Sequence, residues 1–299
     1  CSTNSVTPGS GAAPTCDATT YCTSTSTASG AQASCSKSAL AGDSASNTWY
    51  AFVCDGIASG SACSTASQGS GDSGSPFIVN HVPTFSSPTN NSPVNPGATV
   101  TWTSTASDPD SNNVMLLVCK TTGISGNTCT GGAWCTSSLV ASNPSCNYAV
   151  PSVNPDGANN AYVYIIDQFN FPSTSGSQGS NVPFTINNVA PTVSAVTING
   201  GSAIDLVESS TKSVTLTATV SDNNSCSGEI STVYGYVYRS GITYAGCDTA
   251  GEANNNNCYP EISCSLVGGT CSGTTDASAD YTCTVNLQYY ADPTDVNTL

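Results

Sequence analysis

Over long stretches of this chain, apolar residues alternate one for one with Thr and Ser. Gly97 to Ser104 places Val100 and Trp102 against Thr101 and Thr103, and Ser213 to Val220 repeats the rhythm with Val214, Leu216 and Ala218. Side chains alternate between the two faces of a strand, so this period predicts half-buried β-strands. Val114 to Cys119 and Ala161 to Ile166 are continuously apolar instead, which predicts short strands buried on both faces. No segment carries a 3.6-residue stripe. Gly, Pro and Asn clusters interrupt the apolar runs every ten or so residues, the punctuation of a β-sandwich rather than of a helical or α/β fold.

The pattern also recurs at long range. Pro76-Phe77-Ile78-Val79-Asn80-His81-Val82-Pro83-Thr84 returns as Pro183-Phe184-Thr185-Ile186-Asn187-Asn188-Val189-Ala190-Pro191-Thr192. The spacing from Pro83 to Pro191 is 191 − 83 = 108 residues, close to the roughly 100 residues of one sandwich. Trp49 to Val53 matches Ala161 to Ile165, and Val214 to Ala218 matches Val100 to Ser104. We therefore expect three copies of an all-β unit: residues 1–82, 83–190 and 191–299. Only the middle one carries every strand. The first copy is expected to lack its opening strands and the third its closing ones, so that the chain reads as a window on a longer array. Incomplete ends that complement each other between chains are the rival reading. The junctions themselves, Val82-Pro83 and Ala190-Pro191, contain no Gly-Ser linker and predict fixed connections.

Sixteen cysteines beside one Met and one His place the chain in an oxidising compartment, extracellular or at the cell surface. They divide six, four and six among the copies, and comparing copies pairs them. Cys54 and Cys63 both lack counterparts in the second copy, so they are expected to bond each other. Cys1 with Cys16 then mirrors Cys119 with Cys129, and Cys22 with Cys35 mirrors Cys135 with Cys146. In the third copy, Cys247 with Cys258 and Cys264 with Cys283 follow the same pattern, leaving Cys226 for Cys271. Closing a loop of about 15 residues is worth roughly 3 kcal/mol in the chain-entropy model.

The net charge of −15 arises from only four basic residues in a chain that is 8% charged. Such a surface excludes nucleic acid as a partner. The apolar runs fall far short of the roughly 18 residues of a membrane-spanning helix.

The Pro-Thr junctions, the Ser107-Asp108-Pro109-Asp110 turn after a Thr-rich strand and the 108-residue period resemble the Ig-like, PKD-like and fibronectin-III-like repeats of bacterial and archaeal surface proteins. The resemblance implies tandem disulfide-stapled Ig-like β-sandwiches serving as the subunit or stalk of an extracellular filament or cell-surface fibre. Its partners would be neighbouring repeats of the same fibre, or glycans. An adhesin stalk with its binding head elsewhere is the alternative. A secreted hydrolase would need catalytic residues outside this chain.

Chemistry-bearing residues are few. Gly71-Asp72-Ser73-Gly74-Ser75-Pro76 looks like the nucleophile segment of a chymotrypsin-like protease. The one histidine, His81, lies after the serine and in a junction, so no enzyme is expected. Asp108, Asp110 and Asn112 offer hard oxygens in one turn and form the candidate calcium set, with Asp222, Asn223 and Asn224 in the matching turn of the third copy. Such residues also simply make good turns. No Cys-x-x-Cys pair occurs, which leaves no zinc spacing and no other cofactor expected. Asn90-Asn91-Ser92 and Asn223-Asn224-Ser225 fit the glycosylation acceptor pattern, making Asn90 and Asn223 candidate acceptors. Trp49, Trp102 and Trp134 have the stacking surface to meet a sugar, but strand positions argue for core packing.

Overall fold

The computed structural model describes residues 1–64, 74–243 and 256–292. Among them the chain is all-β, broken only by a single 3-10 turn at Asn199–Gly201.

Among the described residues of 1–82 there are two small ribbons. Strands β1 (Val6–Thr7) and β2 (Thr15–Cys16) pair antiparallel, as do β3 (Ser46–Asn47) and β4 (Phe77–Ile78). Disulfides Cys1–Cys16, Cys22–Cys35 and Cys54–Cys63 staple the intervening loops. None of the described residues here joins a hydrophobic core cluster.

The middle region is a two-layer sandwich. Its strands are β5 (Thr84–Asn90), β6 (Thr99–Ser107), β7 (Val114–Cys119), β8 (Ile124–Ser125), β9 (Thr128–Cys129), β10 (Ala133–Thr136), β11 (Ser145–Ala149), β12 (Gly157–Asn159), β13 (Tyr162–Asp167), β14 (Ser180–Asn181) and β15 (Phe184–Ile186). One sheet runs β11-β6-β5 and the other β10-β7-β13-β14, with β12 and β15 paired separately. Alternation in β6 puts Val100, Trp102 and Ala106 on the inner face, where they meet Leu116 and Val118 of β7, Val163 and Ile165 of β13, and Phe184 of β15. The Trp102 and Phe184 rings meet edge to face with centroids 5.3 Å apart, and the indole N–H donates to the Val182 carbonyl.

The continuous apolar runs have a direct explanation. β7 and β13 bury their second face too, because the β8–β9 hairpin, tied down by Cys119–Cys129, folds back over Leu117, Tyr164 and Ile166. Cys135–Cys146 joins β10 of one sheet to β11 of the other. Near the ends of the unit, Val94 and Ile186 form a parallel bridge: the Val94 N–H donates to Thr185, and the Asn187 N–H donates to Val94.

The described residues of the last region form one five-stranded antiparallel sheet, ordered β16 (Thr192–Ile198), β17 (Thr211–Ser221), β20 (Ser278–Gln288), β19 (Cys258–Leu266), β18 (Tyr234–Tyr238). β17 and β20 pair over their full eleven residues. Val214, Leu216, Cys283, Val285 and Leu287 are buried on one face, where Cys264–Cys283 links two directly paired positions. Gly235 of β18 passes that disulfide so closely that an added Cβ would lie 3.3 Å from the Cys283 sulfur. Cys226–Cys271 closes the turn end of the sheet against Val220, Ala279 and Tyr281. Cys247 lies outside the described residues.

Here β19 pairs with both β18 and β20, so strands that belong to two layers in the middle unit merge into one. Val193, at the position of the buried Phe85, is 61% exposed.

Candidate functional site: the two junction clasps

Both junctions are held by the same device. A strand carrying the alternating Thr pattern ends in an Asp-x-Asp or Asp-x-Asn turn, and the first Asp folds the turn on itself. The Asp108 carboxylate accepts the Asp110 and Asn112 N–H groups at 2.8 and 3.3 Å. Likewise Asp222 accepts the Asn224 N–H at 2.7 Å. This is the Asx-turn geometry that short polar side chains favour. It leaves the residue two positions on, Asp110 or Asn224, pointing back at the incoming linker.

At the first junction, Asp110 accepts the His81 backbone N–H at 2.5 Å and contacts the imidazole Nδ1 at 2.7 Å. Asn80 donates to the buried Asp167 at 2.6 Å and accepts from Asn112 at 2.7 Å, while Gln168 donates to the Asn112 oxygen at 3.1 Å. The hydrogen bond to the Asp110 carboxylate holds the His81 imidazole above its ordinary value, against the opposing effect of desolvation. Burial pushes Asp110 up, but the backbone and side-chain bonds from His81 outweigh it and keep its carboxyl below the usual carboxylate value. On the other side His81 faces the loop Ala41–Ala45, with which it lines a cleft together with Pro109 and Asp110. Asp43 in that loop is ion-paired with Lys37.

At the second junction the clasp is neutral. The Asn224 amide donates to the carbonyls of Asn187 at 2.9 Å and Asn154 at 3.2 Å, and its oxygen accepts the Val189 N–H at 2.7 Å. Asn154 N–H closes the circle on the Asn223 carbonyl at 3.0 Å. Asn224 is fully buried, and every polar atom of its side chain is used.

The apolar junction residues contribute less. Pro83 is buried and Val82 half-buried, but Ala190 and Pro191 are exposed. Residues outside the expected junction set make the contacts, Asn80, His81 and Asp167 with their side chains and Asn154 and Asn187 with their backbone carbonyls. A signal was present: Asn80 and Asn187 occupy the same place in the repeated junction.

Other candidates fall out as follows. In the calcium set, both oxygens of Asp110 are engaged by His81, and Asn112 is engaged through both ends of its amide. The Asn90 amide nitrogen donates to the Val182 and Pro183 carbonyls, whereas Asn223 is exposed. Of the tryptophans, Trp102 is core, Trp134 packs on Tyr148 and Phe184 beneath Lys120, and the half-buried Trp49 donates to the Gly74 carbonyl. Gly71, Asp72 and Ser73 of the protease-like segment lie outside the described residues, and His81 is turned into the junction.

The fold is thus an all-β, disulfide-stapled one of Ig-like type. Seven disulfides among the described residues require an oxidising environment, and no helix among those residues is long and apolar enough to cross a membrane. No family model and no curated protein matches the chain. Among solved structures, the titin domains Z1Z2 in complex with telethonin are similar over 70% of this chain and 83% of that one, at 15% identity and a TM-score of 0.27. A chimeric titin Z1Z2 functionalized with an exogenous KLER peptide from decorin matches over the same shares at 14% identity and a TM-score of 0.23. The fold assignment rests on the sheets and core themselves.

Proposed function

We propose that this chain is a structural segment of an extracellular or cell-surface fibre, in which β-sandwich units are joined end to end at fixed angles. The observation that carries this reading is the repetition of one clasp: the second residue after the turn aspartate captures a linker backbone N–H at both junctions, His81 through Asp110 and Val189 through Asn224. A flexible tether has no use for a fully buried, fully satisfied amide. An adhesin stalk would employ the same rod.

Neighbouring repeats of the same fibre are the partners this surface suits. Few charges oppose close approach, and hydroxyl and amide groups are available for lateral hydrogen bonds. Exposed Asn223 is the better placed glycan acceptor. Small-angle scattering of the full chain should give the distance distribution of an extended rod that fits one conformation. A distribution requiring many inter-unit angles would rule out the fixed junction.

The units are taken as 1–82, 83–190 and 191–299, with the complete sandwich in the middle. Residues 83–190, expressed under oxidising conditions, should therefore melt cooperatively and show the circular dichroism of a β protein. A non-cooperative melt would make the sandwich dependent on its neighbours.

A further inference from the structure

We propose that the turn at Asp108–Asn113 binds a hard divalent cation of calcium type, anchored on the inner carboxylate oxygen of Asp108. This goes beyond the fibre reading and stands or falls separately from it, since it concerns binding alone.

The anchor is an uncompensated atom. Asp108 is 8% exposed. Its Oδ1 accepts two backbone N–H groups, but its Oδ2 is buried with no hydrogen-bond partner. An ionised oxygen in that position loses its hydration without recovering a donor, and a buried charge is tolerated only when it is paired or bound to a metal.

The chain's lysines and arginine lie elsewhere, and His81 sits on Asp110 rather than on Asp108 Oδ2. Lys37 pairs with Asp43, Arg239 pairs with Asp292, Lys120 lies over the Trp134 ring, and Lys212 belongs to β17 of the last sheet. Those are all four basic residues. Meanwhile the surroundings supply oxygens in a connected set: Asp110 follows in the same turn, Asn112 touches Asn80, and Asn80 touches the buried Asp167.

The second junction supports the same conclusion by contrast. There the place of Asp110 is taken by Asn224, whose amide supplies two donors to converging carbonyls. At the first junction His81 meets both oxygens of Asp110, and Asp108 Oδ2 alone is left without a donor from the chain.

Among the described residues no three His, Cys, Asp or Glu side chains stand together as a ready metal cage. The coordination must therefore be completed by amide and backbone oxygens, with Asn112 and Asn80 turning their oxygens inward. Mixed oxygen ligation of this kind is the habit of calcium, and extracellular modules built so bind it with Kd of about 10⁻⁴ to 10⁻³ M.

The test is calorimetric titration of the full chain with calcium chloride after chelator treatment, with the thermal midpoint followed in parallel. One saturable site with a midpoint of about 0.1–1 mM, accompanied by a higher melting temperature, is expected. Asp108→Asn should weaken it at least tenfold. Asp110→Asn, which copies the second junction, provides a second variant should the first fold poorly. An absence of saturable binding to the folded chain up to ten times that range, or an unchanged midpoint in the two variants, would overturn the proposal.

Discussion

Asn224→Asp should uncouple the last sheet from the middle sandwich and split one thermal transition into two. The substitution keeps the shape of the side chain and removes its two N–H donors. It leaves the Asn187 and Asn154 carbonyls facing a carboxylate in a fully buried place. Each buried group stripped of its partner costs about 1–3 kcal/mol, more when a charge is involved. The junction loses two such bonds at once, and the surviving acceptor of the Val189 N–H cannot compensate. The cost falls on the coupling between units because Asn224 reaches across it, from the turn after β17 to the linker and to the β11–β12 loop. Differential scanning calorimetry, with a glutamine variant as the size control, would show the split. A single unchanged transition would mean that the clasp contributes nothing to coupling.

Trp102→Ala should cost about 3–5 kcal/mol, the range for removing a large aromatic from a packed core. Native stabilities are about 5–15 kcal/mol, so the middle unit would be left marginal. Trp102 is completely buried between the layers, touches Phe184 from the opposite side and satisfies its indole N–H on Val182. Truncation therefore opens a cavity and leaves the Val182 carbonyl with the Asn90 amide as its remaining side-chain donor. Chemical denaturation of the 83–190 unit would measure the loss. A change below about 1 kcal/mol would mean that the two sheets pack differently from the arrangement described.

The strands were legible wherever period and burial agree. Thr99–Ser107 is β6, starting two residues later and ending three later than the run at Gly97–Ser104, and Thr211–Ser221 is β17, extended a little beyond the run at Ser213–Val220. The runs at Val114 and Ala161 do bury both faces. The hairpin that covers them, however, has too little apolar surface to announce itself, since Ile124 and Cys129 are its main contribution. Merging of the last unit into one sheet could not be read from alternation, because a period of two fixes the face a residue takes and not which strand lies beside it. The clasps were half visible. The sequence marks Asp108, Asp110, Asn112 and Asn224 as turn formers with oxygens to offer, but only three dimensions reveal that Asp110 and Asn224 turn back onto the linker. Pairings such as Asn80 with Asp167, 87 residues apart, have no local signature.

The parallel bridge between Val94 and Ile186 bears on how the middle unit answers tension. Two parallel segments run in the same direction here, one close behind the entry of the chain and the other just before its exit. Pulling the ends apart therefore drags them lengthwise past each other. The bonds from Val94 N–H to Thr185, from Asn187 N–H to Val94 and from Thr185 N–H to the Ser92 hydroxyl are then sheared together, instead of opening one after another as in a peeled hairpin. Rupture must break them in a single event, and the staple Cys135–Cys146, lying behind that patch in the chain, caps how far the sandwich can extend once it does.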